Sequence, residues 1–100
     1  MSAVPKAPEG HFNVLYFASA SSLTAKEFEP LPAPLPLKDL FPTLEKLYPG
    51  MKSKILDSCL VTVNLNYVEV PAEDDNAEGT EPVVIQEGDE VAIIPPVSSG

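Results

Sequence analysis

The two most apolar segments of the chain lie near its two ends, and this placement constrains the fold more than any other feature. Residues 12–18 (FNVLYFA) and 90–94 (EVAII) are dense in β-branched, aromatic and aliphatic side chains, a composition typical of strands. Strands that are apolar at nearly every position are covered on both faces. We therefore predict that both lie in the middle of one sheet and that, as neighbours, they run parallel.

One amphipathic helix is predicted between these two strands. Its apolar face has the spacing i, i+3, i+4, i+7, i+10 and i+11, occupied by Leu37, Leu40, Phe41, Leu44, Leu47 and Tyr48. Pro42 is tolerable only in a first turn, so Asp39 is expected to cap the helix. The Pro49-Gly50 pair is expected to end it.

Shorter elements are predicted on both sides of the helix from alternation and turn residues. Before the helix we predict a brief turn or helical turn at 19–24 and a strand at 26–31, which its prolines limit to a sheet edge. After the helix we predict a strand at 60–65, a turn at Asn66-Tyr67 and a return strand at 68–70. A solvated acidic loop at 71–81, a strand at 82–85 and a turn at 87–89 with Gly88 at positive φ complete the prediction. The acidic loop lacks the ligand spacing of an EF-hand.

This order of elements predicts the α+β class. The expected fold is a β-grasp, a mixed sheet packed on one main helix. Residues 1–10 are expected to form a disordered N-terminal tail and residues 11–96 the β-grasp domain. Residues 97–100 are expected to form a flexible, functional C-terminal tail.

Charge and cysteine content exclude several functional classes. Fifteen acidic residues against six lysines give a net charge of −9, which argues against nucleic acid and against an anionic membrane surface. The acidity favours either a basic protein partner or solubility alone. The single cysteine, Cys59, cannot form an internal disulfide or by itself a metal site. With no signal-peptide h-region and no apolar run of membrane-spanning length, we expect a cytosolic protein.

A conventional side-chain active site is not predicted. His11 is the only histidine and has no partner motif, and Cys59 is expected to be a buried, inert thiol. Neither a nucleophile elbow nor a phosphate-binding glycine motif is present. Asp74 and Asp75 fall on a predicted loop without the rigid support that acid–base catalysis requires.

The C-terminal segment is the remaining candidate for chemistry. Pro95-Pro96 stiffens the end of the last strand, and the small residues Val97, Ser98, Ser99 and Gly100 follow. Such a tail could thread a narrow channel in another enzyme, where glycine permits close backbone approach. A frayed end or a cloning remnant is the alternative interpretation.

Residues 88–100, GDEVAIIPPVSSG, resemble the C-terminal signature of the small, sulfur-carrier subunit of molybdopterin synthase. The signature consists of G-D-E-V-A, an apolar pair, P-P-V or P-P-I, and a terminal Gly-Gly. Residues 14–18 and 63–68 are similar to the first strand and to a central strand and turn of that family. The resemblance covers about residues 11–100.

The resemblance implies a ubiquitin-like β-grasp protein whose working group is the C-terminal carboxylate of Gly100. A ubiquitin-activating-like adenylyltransferase would adenylate it with ATP, and a sulfurtransferase activity would convert it to a covalent thiocarboxylate. In the large catalytic subunit, the sulfur would pass to cyclic pyranopterin monophosphate to form the dithiolene of molybdopterin. The family works as a heterotetramer of two small and two large subunits. No permanently bound cofactor or metal is implied.

Two further expectations follow from the resemblance. Phe17, Tyr67 and Ile94 match the family's apolar docking patch, although Phe17 and Ile94 suit the core equally well. Ser99 stands where the family usually has glycine. Its Cβ and hydroxyl would crowd a tight channel, so the tail could be active, slowed or disabled.

Three alternatives remain open at this stage. The chain could carry sulfur for thiamine synthesis or for tRNA thiolation within the same fold. It could also be a β-grasp interaction module with an inert tail. A ubiquitin-like modifier conjugated to lysines is the third possibility.

Overall fold

The structure is a computed structural model that describes residues 5–70 and 83–96. Its main layer is a five-stranded mixed sheet, with a two-stranded sheet and short helices beside it. The strands are β1 (His11–Tyr16), β2 (Phe28–Pro32), β3 (Leu35–Pro36), β4 (Leu60–Val63), β5 (Asn66–Val68), β6 (Val84–Ile85) and β7 (Glu90–Ile94). The helices are α1 (Ser19–Thr24), a 3₁₀ turn (Leu37–Asp39), α2 (Leu40–Leu47) and a π-helical turn (Lys52–Leu56).

The strand order of the large sheet is β2-β1-β7-β4-β5. Strands β1 and β7 pair in parallel, with Asn13 opposite Glu90 and Tyr16 opposite Ile93, which confirms the prediction for the two most apolar segments. The proline-containing strand β2 lies at one edge, where the missing N–H groups disrupt no ladder, as predicted. The other edge is β5.

The hydrophobic core lies between one face of the large sheet and the helices. Alternate residues of the two central strands point into it, and α2 and the π-helical turn cover them. The fully buried side chains are Phe12, Val14, Leu37, Leu40, Leu44, Met51, Ile85, Val91 and Ile93. The mixed sheet packed on one main helix confirms the predicted α+β, β-grasp arrangement.

The start of the helix differs from the sequence prediction. Pro42 does lie in the first turn of α2, which begins at Leu40 after the 3₁₀ turn. Asp39 occupies the N-cap position, but its side chain makes no capping hydrogen bond, so the predicted side-chain cap is wrong. The Thr43 hydroxyl instead donates to the Asp39 carbonyl at 2.7 Å.

The turn of the β4–β5 hairpin lies two residues earlier than predicted. Val63 pairs with Asn66, so Asn64 and Leu65 form the turn, with φ of 51° and 72°. The predicted turn at Asn66-Tyr67 is therefore wrong, and Tyr67 belongs to the edge strand β5. By contrast, Gly88 adopts φ of 84° in its turn, as predicted.

A carboxylate shared by two tyrosines links the edge strand β2 to the sheet centre and to the end of α2. Glu29 Oε1 accepts hydrogen bonds from Tyr16 Oη at 2.6 Å and Tyr48 Oη at 2.5 Å. Its Oε2 lies 3.2 Å from Lys26 Nζ. The two tyrosine rings meet edge to face, with centroids 6.1 Å apart. Partial burial works to raise the pKa of Glu29, but the hydrogen bonds from Tyr16, Tyr48 and Lys26 outweigh it, so the pKa is lowered.

Replacing this carboxylate is expected to destabilise the fold in a pH-dependent way. A lowered folded-state pKa contributes stability above the unfolded pKa, near pH 4, and that contribution disappears as the pH falls through the folded pKa. Glu29→Gln should cost about 1–2 kcal/mol at pH 7, because hydrogen bonds to a charged acceptor exceed those to a neutral one. Urea unfolding at pH 7 and pH 3 measures this. The exposed neighbour variant Glu27→Gln should change stability by less than about 0.5 kcal/mol, and an equal loss for Glu29→Gln at both pH values would contradict the assignment.

The segment before β1 contacts the sheet. The Asn13 side chain donates to the Pro5 carbonyl at 2.7 Å, and the Gly10 N–H donates to Glu87 Oε2 at 2.5 Å. Pro5 and Gly10 belong to the predicted N-terminal tail. The remainder of that tail (1–4), the acidic loop (within 71–82) and the C-terminal tail (97–100) lie outside the described residues.

The described residues contain neither a cluster of metal-ligating side chains nor a membrane-spanning helix. Within residues 5–70 and 83–96, no three histidine, cysteine, aspartate or glutamate side chains group in a way that could hold a metal ion. The same part of the chain contains no helix with the length and apolarity needed to cross a membrane.

Candidate functional site

The last strand positions the C-terminal segment. Strand β7 ends at Ile94, and Pro95 is still buried, whereas Pro96 is exposed. The chain therefore leaves the sheet at Pro95-Pro96, beside the end of a central strand. Val97, Ser98, Ser99 and Gly100, which the sequence assigns to the working tail, lie outside the described residues.

The exit lies next to the face of the large sheet that points away from α2. Along β7, Val91 and Ile93 point into the core, so Ala92 and Ile94 point to the opposite, outer face. Cross-strand partners share a face. Ile94 pairs with Leu60, and Ala92 pairs with Thr62.

Four apolar side chains form what we call the outer-face patch: Phe17, Leu60, Tyr67 and Ile94. Phe17 follows the inward-facing Tyr16, and its N–H donates to the Ile93 carbonyl at 3.2 Å. Tyr67 pairs with Thr62, in the next row of the sheet. The exposed fractions are 46% for Phe17, 56% for Leu60 and 71% for Tyr67, whereas Ile94 is half-buried. Large apolar side chains grouped at the surface mark an interaction site.

The structure therefore places all three residues of the predicted docking patch on one face. Phe17 is exposed, and Ile94 is only half-buried, so neither is simply a core residue. Leu60 was missed by the sequence prediction. It begins the predicted strand 60–65, in which Val61 and Val63 alternate with it, and that alternation is the signal that places it on the face opposite the core.

The reactive side chains singled out in the sequence are not arranged for catalysis. Burial raises the pKa of the Cys59 thiol to about 11, which keeps it protonated and unreactive at neutral pH. His11 Nδ1 lies 3.0 Å from the Glu9 carbonyl oxygen. The exposed apolar side chains of the outer-face patch, next to the chain exit, suit binding to a partner.

Sequence comparison identifies the family. The ThiS family model matches residues 14–100, which includes the C-terminal segment and every strand of the large sheet apart from the first three residues of β1. The chain belongs to the ThiS family. This assignment agrees with the parallel pairing of β1 and β7 and with the position of the exit at the end of β7.

Full-length relatives specify the branch of the family. The chain is 60% identical over 98 residues to the molybdopterin synthase sulfur carrier subunit of Phaeosphaeria nodorum, covering 98% of this chain and 99% of that one. It is 56% identical to the subunit of the same name from Pyrenophora tritici-repentis, covering 95% and 96%. These relatives confirm the resemblance seen in residues 88–100.

Solved structures of ThiS-like proteins share the fold. The small archaeal modifier protein 1 of Haloferax volcanii superimposes with a TM-score of 0.65 at 18% identity, covering 88% of this chain and 99% of that one. Subunit 1 in the complex of subunits 1 and 2 of the molybdopterin-converting factor from Helicobacter pylori gives a TM-score of 0.54 at 23% identity, covering 90% and 99%. At these identities the likeness extends to the β-grasp fold.

Proposed function

We propose that this chain carries sulfur on the carboxylate of Gly100 for the synthesis of molybdopterin. The observation that carries the proposal is the 60% identity to a molybdopterin synthase sulfur carrier subunit over nearly the full length of both chains. The family model also extends through residue 100, so the match includes the segment to which we assign the chemistry.

The reaction needs no catalytic side chain from the carrier. A carboxylate is a poor electrophile, so an adenylyltransferase uses ATP to convert it to an acyl-adenylate with release of pyrophosphate. A sulfurtransferase activity then supplies sulfur at the sulfide level, which attacks the acyl carbon and displaces AMP. The resulting thiocarboxylate is a good nucleophile at neutral pH and delivers its sulfur to cyclic pyranopterin monophosphate, and two such deliveries complete the dithiolene.

The large subunit of molybdopterin synthase is the proposed acceptor protein. The Helicobacter pylori neighbour is described as a complex of subunits 1 and 2, and the outer-face patch offers this chain an apolar surface for such a partner beside the exit of β7. A tail of four residues beyond Pro96 reaches at most about 13 Å, so the acceptor site must lie close to the docked face. We propose a heterotetramer of two small and two large subunits, working in the cytosol.

Electrostatics favours the same partner. The carrier has a net charge of −9. A subunit that binds a phosphorylated pterin and an anionic tail requires basic side chains around its channel, and opposite charges on two partners accelerate and orient their encounter.

The direct test is conversion of the C-terminus. The purified chain is incubated with its cognate activating enzyme, ATP and a sulfur donor, and intact mass and C-terminal peptide mapping are recorded. We expect a mass gain corresponding to replacement of one oxygen by sulfur, localised to Gly100. A matched Ser99→Gly variant shows whether the serine slows the reaction, because glycine removes the Cβ beside the carboxylate.

The two variants separate the alternatives. If only Ser99→Gly is converted, the fold is that of a carrier but the natural tail is disabled. If neither is converted, the sulfur-carrier proposal is wrong, and an interaction module with an inert tail replaces it. Isopeptide conjugates to lysines instead of a thiocarboxylate would indicate a protein modifier.

A further inference from the structure

The tip of the β4–β5 hairpin presents a leucine in a conformation and an environment that disfavour it. Asn64 and Leu65 both have positive φ, 51° and 72°, which is the two-residue turn that favours Asn-Gly. Asn64 fits this preference. Leu65 does not, because its Cβ is strained in the left-handed region, and its side chain is 87% exposed.

Asn64 fixes this tip to the start of β7. Its N–H donates to the Glu90 carbonyl at 2.8 Å, and its side-chain oxygen accepts from the Glu90 N–H at 2.9 Å. Its side-chain nitrogen donates to Asp89 Oδ1 at 3.0 Å. Leu65 is therefore held on a rigid scaffold, which removes much of the ordering cost of binding.

The fold gains nothing from a leucine at this position. Glycine would satisfy the positive φ and would expose no apolar surface, so Leu65 is unfavourable both in backbone conformation and in hydration. Strain that persists at an exposed position indicates a functional role. A large aliphatic side chain that is already held in place can fill an apolar pocket of a partner at a small ordering cost.

The tip lies at the end of the hairpin, beyond Tyr67 of the outer-face patch. Leu65 lies two residues before Tyr67 in the same hairpin, whereas Leu60 and Ile94 mark the other end of β4, next to the exit. Strand β4 spans about 13 Å at 3.3 Å per residue. A partner that contacts both ends of β4 covers the length of the outer face.

We propose that Leu65 is an anchor that inserts into an apolar pocket of the large subunit of molybdopterin synthase, at the end of the interface far from the tail. This inference rests on the proposed function, in which the large subunit is the stable partner. Asp89 and the exposed Glu90 lie beside the turn, so we expect basic side chains at the rim of that pocket.

The test is the affinity of Leu65→Asn for the purified cognate large subunit, measured by calorimetry. Asparagine tolerates positive φ and preserves the turn. We expect the Kd to rise about tenfold or more, the size of effect typical of an interface anchor, while the unfolding midpoint stays the same or rises. Leu65→Met should retain most of the affinity. Leu47→Asn is the matched control, because Leu47 is 48% exposed at the end of α2, away from the outer face, and it should leave the Kd unchanged.

Thiocarboxylation of Gly100 in the same variants separates this inference from the proposed function. We expect Leu65→Asn to be thiocarboxylated like the natural chain. A Kd equal to that of the natural chain overturns the anchor, as does a lowered unfolding midpoint, which would make Leu65 a structural residue. Slowed thiocarboxylation with an unchanged Kd would assign the hairpin tip to the activating enzyme instead. A natural chain that is neither thiocarboxylated nor bound by the large subunit overturns both proposals.

Discussion

Deleting Gly100 is expected to abolish sulfur loading while leaving the fold intact. The deletion draws the terminal carboxylate back by about 3.4 Å and leaves Ser99, with its Cβ and hydroxyl, as the reacting residue. Displacements of about 1 Å at a reacting centre can cost about 100-fold in rate, so thiocarboxylation should fall by about 100-fold or more. The measurement is the initial rate of thiocarboxylate formation followed by intact mass.

A control variant separates the effect of tail length from the effect of bulk at the terminus. Gly100→Ala keeps the length of the tail but adds a Cβ, so a loss smaller than that of the deletion would show that reach matters most. Stability should be unaffected in both variants, because the last strand ends at Ile94 and Pro95 is already at its border. If the deletion variant is loaded at the rate of the natural chain, Gly100 is not the site of the chemistry.

The sheet centre could be predicted from the sequence because its determinants are local. Residues 12–18 and 90–94 are apolar at nearly every position, which correctly placed both in the middle of the sheet. The expected cover on both faces is wrong, because Phe17 is exposed and Ile94 is only half-buried on the outer face. The helix was predictable from its spacing, and Pro42 limited where its first turn could be. The C-terminal motif identified the family because its residues are contiguous.

Features that depend on contacts between distant segments could not be predicted. The Glu29 carboxylate is shared by Tyr16 and Tyr48, which are 13 and 19 residues away along the chain. The hairpin turn was misplaced because Leu65 carries no turn signal, and the hydrogen bonds that hold the turn join Asn64 to Asp89 and Glu90, which are distant in the chain. Local propensity places glycine there, so the prediction failed at a residue to which we assign a function.

Replacing Tyr67 is expected to have the largest effect on docking among single substitutions in the outer-face patch. Tyr67 is 71% exposed on the edge strand β5, and tyrosine is enriched among residues that dominate binding energy. An anchor of this kind contributes about 2–4 kcal/mol, so Tyr67→Ser should raise the Kd for the large subunit about 30-fold to 1,000-fold. The free energy of unfolding should change by only about 0.5 kcal/mol, because an exposed side chain makes few contacts.

Two matched variants show which part of Tyr67 contributes to the affinity, its ring or its hydroxyl, and whether any exposed apolar residue has the same effect on the Kd. Tyr67→Phe should retain most of the affinity if apolar contact of the ring dominates. Val83→Ser, at an exposed apolar residue beside the two-stranded sheet, should leave the Kd unchanged. An unaltered Kd for Tyr67→Ser would contradict docking through the outer face, and the large subunit would then have to recognise the exit of β7 from another side. Because the tail reaches only about 13 Å beyond Pro96, that side would have to border the same exit.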